Sequence, residues 1–414
     1  MADIYRRCGC RDDAGRQYGT TCPKLATDPK HGTWAFYLAA GIDPKTGRRR
    51  QVRRAGFATK QAAQKARNAA ASKVDSGTYV APTKQTYAEY LDKWFQRRQT
   101  TGRGLKPTTA DNYARYIRDD IQPSSLGRMK LTDIRRFHIN DFVSDLTEAG
   151  RGATTVRRIA AVVQGSLKAA WHDDLIDHNP GVGIKLPVVP KKKFQPWQPE
   201  QVGTFLDAAS QHRLGALFEL AILTGLRRGE AIGLRWDDVD LTRRTITVRN
   251  NRTQAGRTIV EGTAKTDAGD NRVLSMSDAV VGALVAWKLR QQEEAEAFKE
   301  VWTDTGYVFT YEDGQPLKPQ YATRLFDKIR ASAGLPRMTF HGQRHENASL
   351  LLSGGADIAV VSKMLGHSSV SVTADIYSHL IGSAALDASE RAAAMIPRKS
   401  GDAHTLHTQP ELKA

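Results

Sequence analysis

Thr224-Gly-Leu-Arg-Arg-Gly-Glu230 closes an apolar run, Leu217–Leu226, whose polar side chains are Glu219 and Thr224. That run reads as a buried helix. Glycines on both sides of the Arg pair let the backbone turn sharply and present a guanidinium at the start of the next helix. Alone, the stretch also reads as an ordinary helix connection with a surface Arg. Three stretches downstream change its weight. His341-Gly-Gln-Arg-His345 opens a helix through Ala348–Leu352 and sets His341 and Arg344 three residues apart, on one helix face. A guanidinium offers a phosphate two parallel hydrogen bonds, and an imidazole beside it offers a movable proton. Leu365-Gly-His-Ser-Ser369 comes next, then Thr373-Ala-Asp-Ile-Tyr377-Ser-His379. A lone Tyr near a helix is more often a half-buried aromatic than a nucleophile. Tyr377, however, stands ten residues after His367, with the hydroxyl-rich Ser368–Thr373 between them. Each stretch is modest; the specificity lies in the set.

Composition narrows the partner. A chain of 414 residues is too long for one ordinary core and suggests two or three domains. Its 40% hydrophobic and 25% charged residues are ordinary for a globular protein, but a formal net charge of +17 is not. Such a surplus favours a polyanion, either nucleic acid or a membrane surface. No apolar run approaches the ~18 residues that cross a bilayer, and the N-terminus lacks the apolar stretch of a secretion signal. Only three cysteines occur, all before residue 23, which argues against a disulfide framework and for a reducing cytosol. Nucleic acid remains.

The chain reads as multidomain α+β. Residues 1–80 hold sixteen Lys and Arg against six Asp and no Glu, so +10 of the charge sits there. Strands are expected at Thr33–Ala40 and Arg49–Phe57 around an Asp43-Pro-Lys-Thr-Gly47 turn, then a helix to about Ser76 with Thr59 as its N-cap. Residues 84–186 read as all-helical, with apolar periodicity in Tyr87–Gln96, Thr108–Ile121, His138–Glu148 and Thr154–Asp173. Arg115, Arg118, Arg157, Arg158 and Lys168 on these helices fit a phosphate backbone and equally a solvated face. A linker, 187–198, carries Lys191, Lys192 and Lys193 between prolines and can meet DNA. Residues 199–396 are mixed and mainly helical: helices at Glu200–Ser210, His212–Thr224 and Arg228–Leu234, strands at Thr245–Asn250, Thr258–Glu261 and Arg272–Ser275, and helices again from Asp278. Residues 397–414 read as a loose tail.

In this order the four stretches resemble the tyrosine recombinase, or phage integrase, family, particularly the integrases of actinobacterial phages and integrative elements. The resemblance covers nearly the whole chain and implies an arm-binding domain, a helical core-binding domain and a catalytic domain. It implies that Arg227 and Arg344 bind the scissile phosphate, that Glu230 orients, and that Lys265, before Thr266 and Arg272-Val-Leu, is the hairpin lysine. His341 and His367 complete the set, with Tyr377 the nucleophile. Gln343 departs from the family pattern, which places an apolar Leu there; a buried Gln needs a hydrogen-bond partner or costs about 1–3 kcal/mol.

The implied chemistry follows from the residue types. Two Arg forks neutralise the non-bridging oxygens without a metal. Tyr377, with a free pKa of ~10, needs a base or a positive field, for which His341 is the candidate. Lys265 protonates the departing sugar oxygen, and His367 bonds the phosphate. A 3′-phosphotyrosyl link then keeps the bond energy for rejoining, so DNA is integrated or excised with no catalytic cofactor. A type IB topoisomerase shares this chemistry, and a non-catalytic DNA binder could share the fold. No D-D-E carboxylate cluster suggests two-metal chemistry, since Asp237, Asp238 and Asp240 read as a turn into a strand.

The resemblance also implies double-stranded attachment sites as partners, a tetramer on DNA, an excisionase and a DNA-bending host protein, and a cytoplasmic, nucleoid-associated location. Ser383–Met395 reads as an Ala-rich amphipathic helix that docks on a neighbouring protomer or on its own domain. Arg48, Arg49, Arg50, Arg53 and Arg54 cluster where a sheet can enter a major groove, or form a solubilising surface. Cys8, Cys10, Cys22 and His31 are candidate ligands of a structural zinc, although Cys8-Gly-Cys10 is tighter than the usual spacing and the segment is equally readable as flexible chain with free thiols.

Overall fold

The computed structural model describes residues 4–42, 49–76, 79–80, 83–102, 104–190, 194–262, 271–366, 369–371, 374 and 392–396, with the side chain of Arg50 outside that description. Arg48, Lys191, Lys192, Lys193, Lys265, His367 and Tyr377 lie outside the described residues, as do the Asp43–Gly47 turn and nearly all of Ser383–Met395. The chain divides into two compact units at Pro190.

The first unit opens with a four-stranded antiparallel sheet. Strands β1 (Ile4–Arg11), β2 (Gln17–Gly19), β3 (Thr33–Ile42) and β4 (Arg49–Phe57) are ordered β2-β1-β3-β4. A short helix α1 (Lys24–Thr27) precedes β3, and α2 (Lys60–Asp75) follows β4. The expected strands and the Thr59 cap are present, the Thr59 side chain accepting from the Ala62 N–H. The β1–β2 pairing was not legible in the sequence, because β1 carries Arg6, Arg7 and two Cys instead of an apolar alternation. Ala70 of α2 packs with Phe36 and Val52 on one face of the sheet.

Helices α3 (Tyr87–Thr100), α4 (Pro107–Tyr116), α5 (Ser125–Arg128), α6 (Arg136–Glu148) and α7 (Ala153–His172) form a separate apolar cluster. Thr86 caps α3 in a reciprocal capping box with Glu89, which satisfies two otherwise orphaned N–H groups. The expected Thr108–Ile121 helix ends early as α4 and continues as one π-helical turn, Ile117–Ile121. Two buried tyrosines tie α3 to α7: the Tyr87 hydroxyl lies 2.6 Å from Ser166 Oγ, and Tyr90 donates to the Ser166 carbonyl at 3.1 Å. Arg115, Arg118, Arg157, Arg158 and Lys168 are all exposed on this bundle.

In the second unit, α8 (Pro199–Ser210), α9 (Gly215–Thr224) and α10 (Arg228–Ile232) precede the strands β5 (Val239–Asp240), β6 (Thr245–Val248), β7 (Asn251–Ala255), β8 (Thr258–Gly262) and β9 (Arg272–Ser275). Helices α11 (Asp278–Ala297), α12 (Pro319–Ser332), α13 (Gly342–Ser353) and α14 (Ile358–Leu365) follow. The strands make a sheet ordered β5-β6-β9 and a β7–β8 hairpin. Two expectations shift here. The His212–Thr224 helix begins at Gly215, and the strand expected to reach Asn250 stops at Val248 so that β7 can start the hairpin. An aromatic cluster of Trp197, Phe205, Phe218, Phe326 and Phe340 centres the core around α9. Asp238 is buried and paired to Arg249 at 2.6 Å, a structural role for the Asp-rich turn. Among the described residues, no helix is long and apolar enough to cross a membrane.

Candidate active site

Helix α9 is apolar but for Glu219 and Thr224 and largely buried, and it stops at Gly225, whose φ of +65° is the left-handed C-cap favoured by glycine. A Cβ at Gly225 would stand 2.7 Å from Asn347 Oδ1 and 2.8 Å from Leu365 Cδ2, so the turn is pressed against α13 and α14. At Gly229 a Cβ would stand 2.1 Å from Asn251 Oδ1, which lets α10 close onto β7. The two glycines of the Thr224–Glu230 stretch thus serve close approach. Between them Arg227 occupies the N-cap position of α10.

Glu230, 2% exposed, is the centre of charge. Its carboxylate accepts from the Arg227 N–H at 2.9 Å and from Arg227 Nη1 at 2.8 Å. It accepts again from Arg272 Nη1 at 3.1 Å and Nη2 at 2.6 Å. Burial pushes this carboxyl up, but the Arg272 hydrogen bonds and charge, with the charge of Arg227, hold it below the ordinary value. Arg227 is partly exposed.

Arg344 differs from the sequence expectation. His341 sits exposed at the N-terminal edge of α13, whereas Arg344 is 2% exposed; the two share a turn but not an environment. Arg344 donates through Nη1 to the Gly225 carbonyl at 2.8 Å and through Nη2 to the Leu365 carbonyl. Gln343 is buried and donates to the Leu226 carbonyl at 3.0 Å, the partner that a polar side chain needs there. Among the described residues its Oε1 has no partner. His345 packs on Phe194 at 5.1 Å and stands edge-on to His341 at 5.4 Å. Burial, and then the Arg344 charge, hold His345 below its usual pKa. Glu346 anchors the chain entering this unit, accepting from the Trp197 N–H at 2.7 Å; burial raises its carboxyl.

Helix α14 ends at Gly366, φ +62°, one residue before His367. The carbonyls of Met364, Leu365 and Gly366 accept from Arg272, Arg344 and Arg227 respectively. The last carbonyls of a helix are orphaned and carry the negative end of its dipole, so cations are at home there. Arg227, Glu230 and Arg344 therefore meet around the helix end that leads into His367. Arg272 is the participant the sequence reading passed over. Its signal was available: in β9 it alternates with Val273 and shares the buried face of Leu274, an unusual place for a guanidinium.

In the first unit, strand alternation separates the basic cluster. Phe36 and Leu38 pair with Arg54 and Val52, and this face meets α2. Tyr37 pairs with Arg53, so Arg53 and Arg49 share the opposite face with Tyr5 and Arg7. Arg54 is thus not on the face of Arg49 and Arg53.

Cys8, Cys10, Cys22 and His31 do come together, their ligand atoms all within 4.8 Å of one another. Cys8 and Cys10 flank Gly9 on β1, where the pairing with β2 breaks register between Cys8 and Arg11, and both thiols nevertheless reach the cluster. His31 Nε2 lies 3.4 Å from Cys10 Sγ and 3.6 Å from Cys22 Sγ. The edge of a tetrahedron with metal–sulfur and metal–nitrogen bonds of ~2.3 and ~2.05 Å is about 3.5 Å, so the spacing suits zinc. Arg6 donates to the carbonyls of Asp28, at 2.8 Å, Pro29, at 2.9 Å, and His31, fixing the loop that carries the imidazole.

Comparison with known proteins places this architecture. The phage integrase family matches residues 197–382, the N-terminal SAM-like domain of phage integrases matches 86–147, and an arm DNA-binding domain matches 27–71. A XerC-like tyrosine recombinase of Caldanaerobacter subterraneus is 30% identical over 293 residues, covering 67% of this chain and 75% of its own. An integrase of Streptomyces ambofaciens is 25% identical over 368 residues, covering 85% of this chain and 91% of its own. Among solved structures, the Tn1549 transposon integrase in complex with circular intermediate DNA aligns with a TM-score of 0.62 at 20% identity, over 74% of this chain and 99% of its own. A lambda integrase tetramer bound to a Holliday junction aligns with a TM-score of 0.51 at 18% identity, over 83% of this chain and 92% of its own. The chain belongs to the tyrosine recombinase family, the phage integrases. It is a site-specific recombinase, an enzyme that cleaves and rejoins DNA.

Proposed function

We propose that Tyr377 attacks the scissile phosphate, with Arg227 and Arg344 holding its non-bridging oxygens and Glu230 orienting Arg227. The observation that carries this reading is the meeting of Arg227, Glu230 and Arg344 at the end of α14, whose cap Gly366 precedes His367 in the chain. Both guanidinia are fixed before DNA arrives, so little reorganisation opposes the transition state. His341, exposed and edge-on to His345, takes the Tyr377 proton. Lys265, between β8 and β9, gives a proton to the leaving 5′-oxygen, and His367 bonds the phosphate. The tyrosine oxygen–phosphorus bond forms as the phosphorus–5′-oxygen bond breaks, leaving a 3′-phosphotyrosyl link and a free 5′-hydroxyl. No catalytic step uses a metal. Tyr377→Phe is expected to bind a nicked suicide substrate normally and to form no covalent complex on a denaturing gel. Covalent attachment of the Phe variant refutes the nucleophile assignment.

The domain division read from the sequence, 1–80, 84–186, a linker at 187–198, 199–396 and a tail at 397–414, supports a two-site enzyme. The sheet face of Tyr5, Arg7, Tyr37, Arg49 and Arg53 reads an arm site, and the helical domain, the linker lysines Lys191, Lys192 and Lys193, and the catalytic domain each bind core-site DNA. Exchange between two duplexes needs four nucleophiles, so the working form on DNA is a tetramer, with an excisionase and a DNA-bending host protein setting direction and location at the nucleoid. Deletion of residues 1–80 is expected to spare core-site cleavage and abolish integration. Cys8, Cys10, Cys22 and His31 hold one structural zinc that pins β1, the start of α1 and the His31 loop together before β3 begins. Elemental analysis should find about one zinc per chain. Its removal by EDTA should weaken arm-site binding and leave suicide-substrate cleavage unchanged; a chain with well under one zinc and EDTA-insensitive binding refutes the site.

A further inference from the structure

We infer that Arg272 is a positioning residue for strand cleavage, acting through Glu230 to keep Arg227 free for the phosphate; the inference rests on Arg227 being a phosphate ligand. Glu230 is deeply buried and receives four hydrogen bonds, two from Arg227 and two from Arg272. Without Arg272 the whole carboxylate charge would fall on Arg227, the group that must also face the DNA. A buried, unpaired carboxylate is costly, and it would draw the Arg227 fork inward. The Arg272 side chain is only 7% exposed, and its fork lies on Glu230, so its role toward the phosphate is indirect. Its Nε donates to the Met364 carbonyl at 3.1 Å, next to the carbonyls that Arg344 and Arg227 hold. One side chain therefore joins the first residue of β9, the Glu of the Arg227 turn and the end of α14. These three segments are separated by tens of residues in the chain, and they precede or follow Arg227, Lys265 and His367.

Apart from this function, a buried Arg–Glu pair is a weak device for stability, because desolvation offsets most of the attraction. A purely structural Arg272 and a positioning Arg272 can be told apart by the charge of the substrate. A methylphosphonate at the scissile position is neutral and asks less of Arg227. Single-turnover cleavage of suicide substrates is to be measured with phosphate and with methylphosphonate, for Arg272→Met, Glu230→Gln, the double variant and Arg227→Ala. Arg272→Met is expected to lose about 100-fold on the phosphate, in the range seen on removing one transition-state donor, and less than about tenfold on the methylphosphonate. Adding Glu230→Gln should restore at least about tenfold to Arg272→Met, since a neutral amide no longer captures Arg227. Equal losses on both substrates with no recovery, or unchanged cleavage, overturn the inference. Should Arg272→Met fail to fold by circular dichroism, Arg272→Lys carries the same comparison, because an ammonium cannot make the two-pronged contact and the Met364 bond together. Arg227→Ala separates the layers. Retained phosphate cleavage in that variant refutes the site assignment itself, whereas its loss beside an intact Arg272→Met refutes only the role of Arg272.

Discussion

Gly225→Ala tests whether the active site is built on the contact between the α9 turn and α14. The φ of +65° places an alanine in the left-handed region, at a cost of roughly 1–2 kcal/mol. The new Cβ would meet Asn347 Oδ1 at 2.7 Å and Leu365 Cδ2 at 2.8 Å. Both neighbours are buried, Asn347 at 3% and Leu365 at 0% exposure, so neither has room to swing aside. Overpacking of this kind adds about 1–3 kcal/mol. The sum, about 2–5 kcal/mol, corresponds to a fall in Tm of roughly 5–15 °C for a unit of this size. Function suffers separately. Moving Leu365 moves the carbonyl that Arg344 holds, and moving Gly225 moves the other. A displacement of about 1 Å in a positioning network is worth ~100-fold in rate. Thermal unfolding followed by circular dichroism and single-turnover suicide-substrate cleavage, measured below the Tm of the variant, give the two numbers. Gly282→Ala is the control. It lies exposed within α11 with no atom within 4 Å of the added Cβ, so it should gain about 0.8–1 kcal/mol and cleave normally. A Gly225→Ala protein that melts and cleaves like the parent would refute the close-packed account of the site.

Two further outcomes are expected. Glu230 has a folded-state pKa below its ordinary value of 4.5, so its contribution to stability is present above about that pH and is lost as pH falls through the lower folded value; the Tm difference between the parent and Glu230→Gln should shrink on acidification below pH 4.5, and a constant difference down to strongly acid pH argues against the ion-pair account. Arg53→Ala and Arg49→Ala should each weaken arm-site binding and lower the salt slope by about 1, with core-site cleavage unchanged, while Arg54→Ala on the other face should do little; fluorescence anisotropy across a salt series decides, and an equal loss from Arg54→Ala refutes the face assignment.

What the sequence determined by itself is whatever short-range geometry encodes. Period-two and 3.6-residue patterns gave the longer helices of both units, though not the short α1 and α5, and the strands β3, β4, β8 and β9, because a solvated face and a buried face must alternate with the turn of the backbone. The order of Arg227, Lys265, His341, Arg344, His367 and Tyr377 named the family before any coordinate was known, since each sits in a short stretch with its own signature. β1 and β2 were hidden because the residues of β1 answer to cysteine and arginine partners and show no apolar alternation. Even the zinc candidates were legible as a list, but Cys8-Gly-Cys10 looked too tightly spaced until the fold brought both thiols together with Cys22 and His31. Only the tertiary structure decided that Arg272 shares Glu230 with Arg227 across 42 residues, and that Arg344 reaches the Gly225 carbonyl across 119. It also decided that the Gln343 amide N–H reaches the Leu226 carbonyl and that Arg54 stands apart from Arg53. The physical reason is one of range. Propensity and periodicity act over a few residues, whereas a buried carboxylate or an orphaned helix carbonyl must be satisfied by whatever donor packing brings within 3 Å, however far away it lies in the chain.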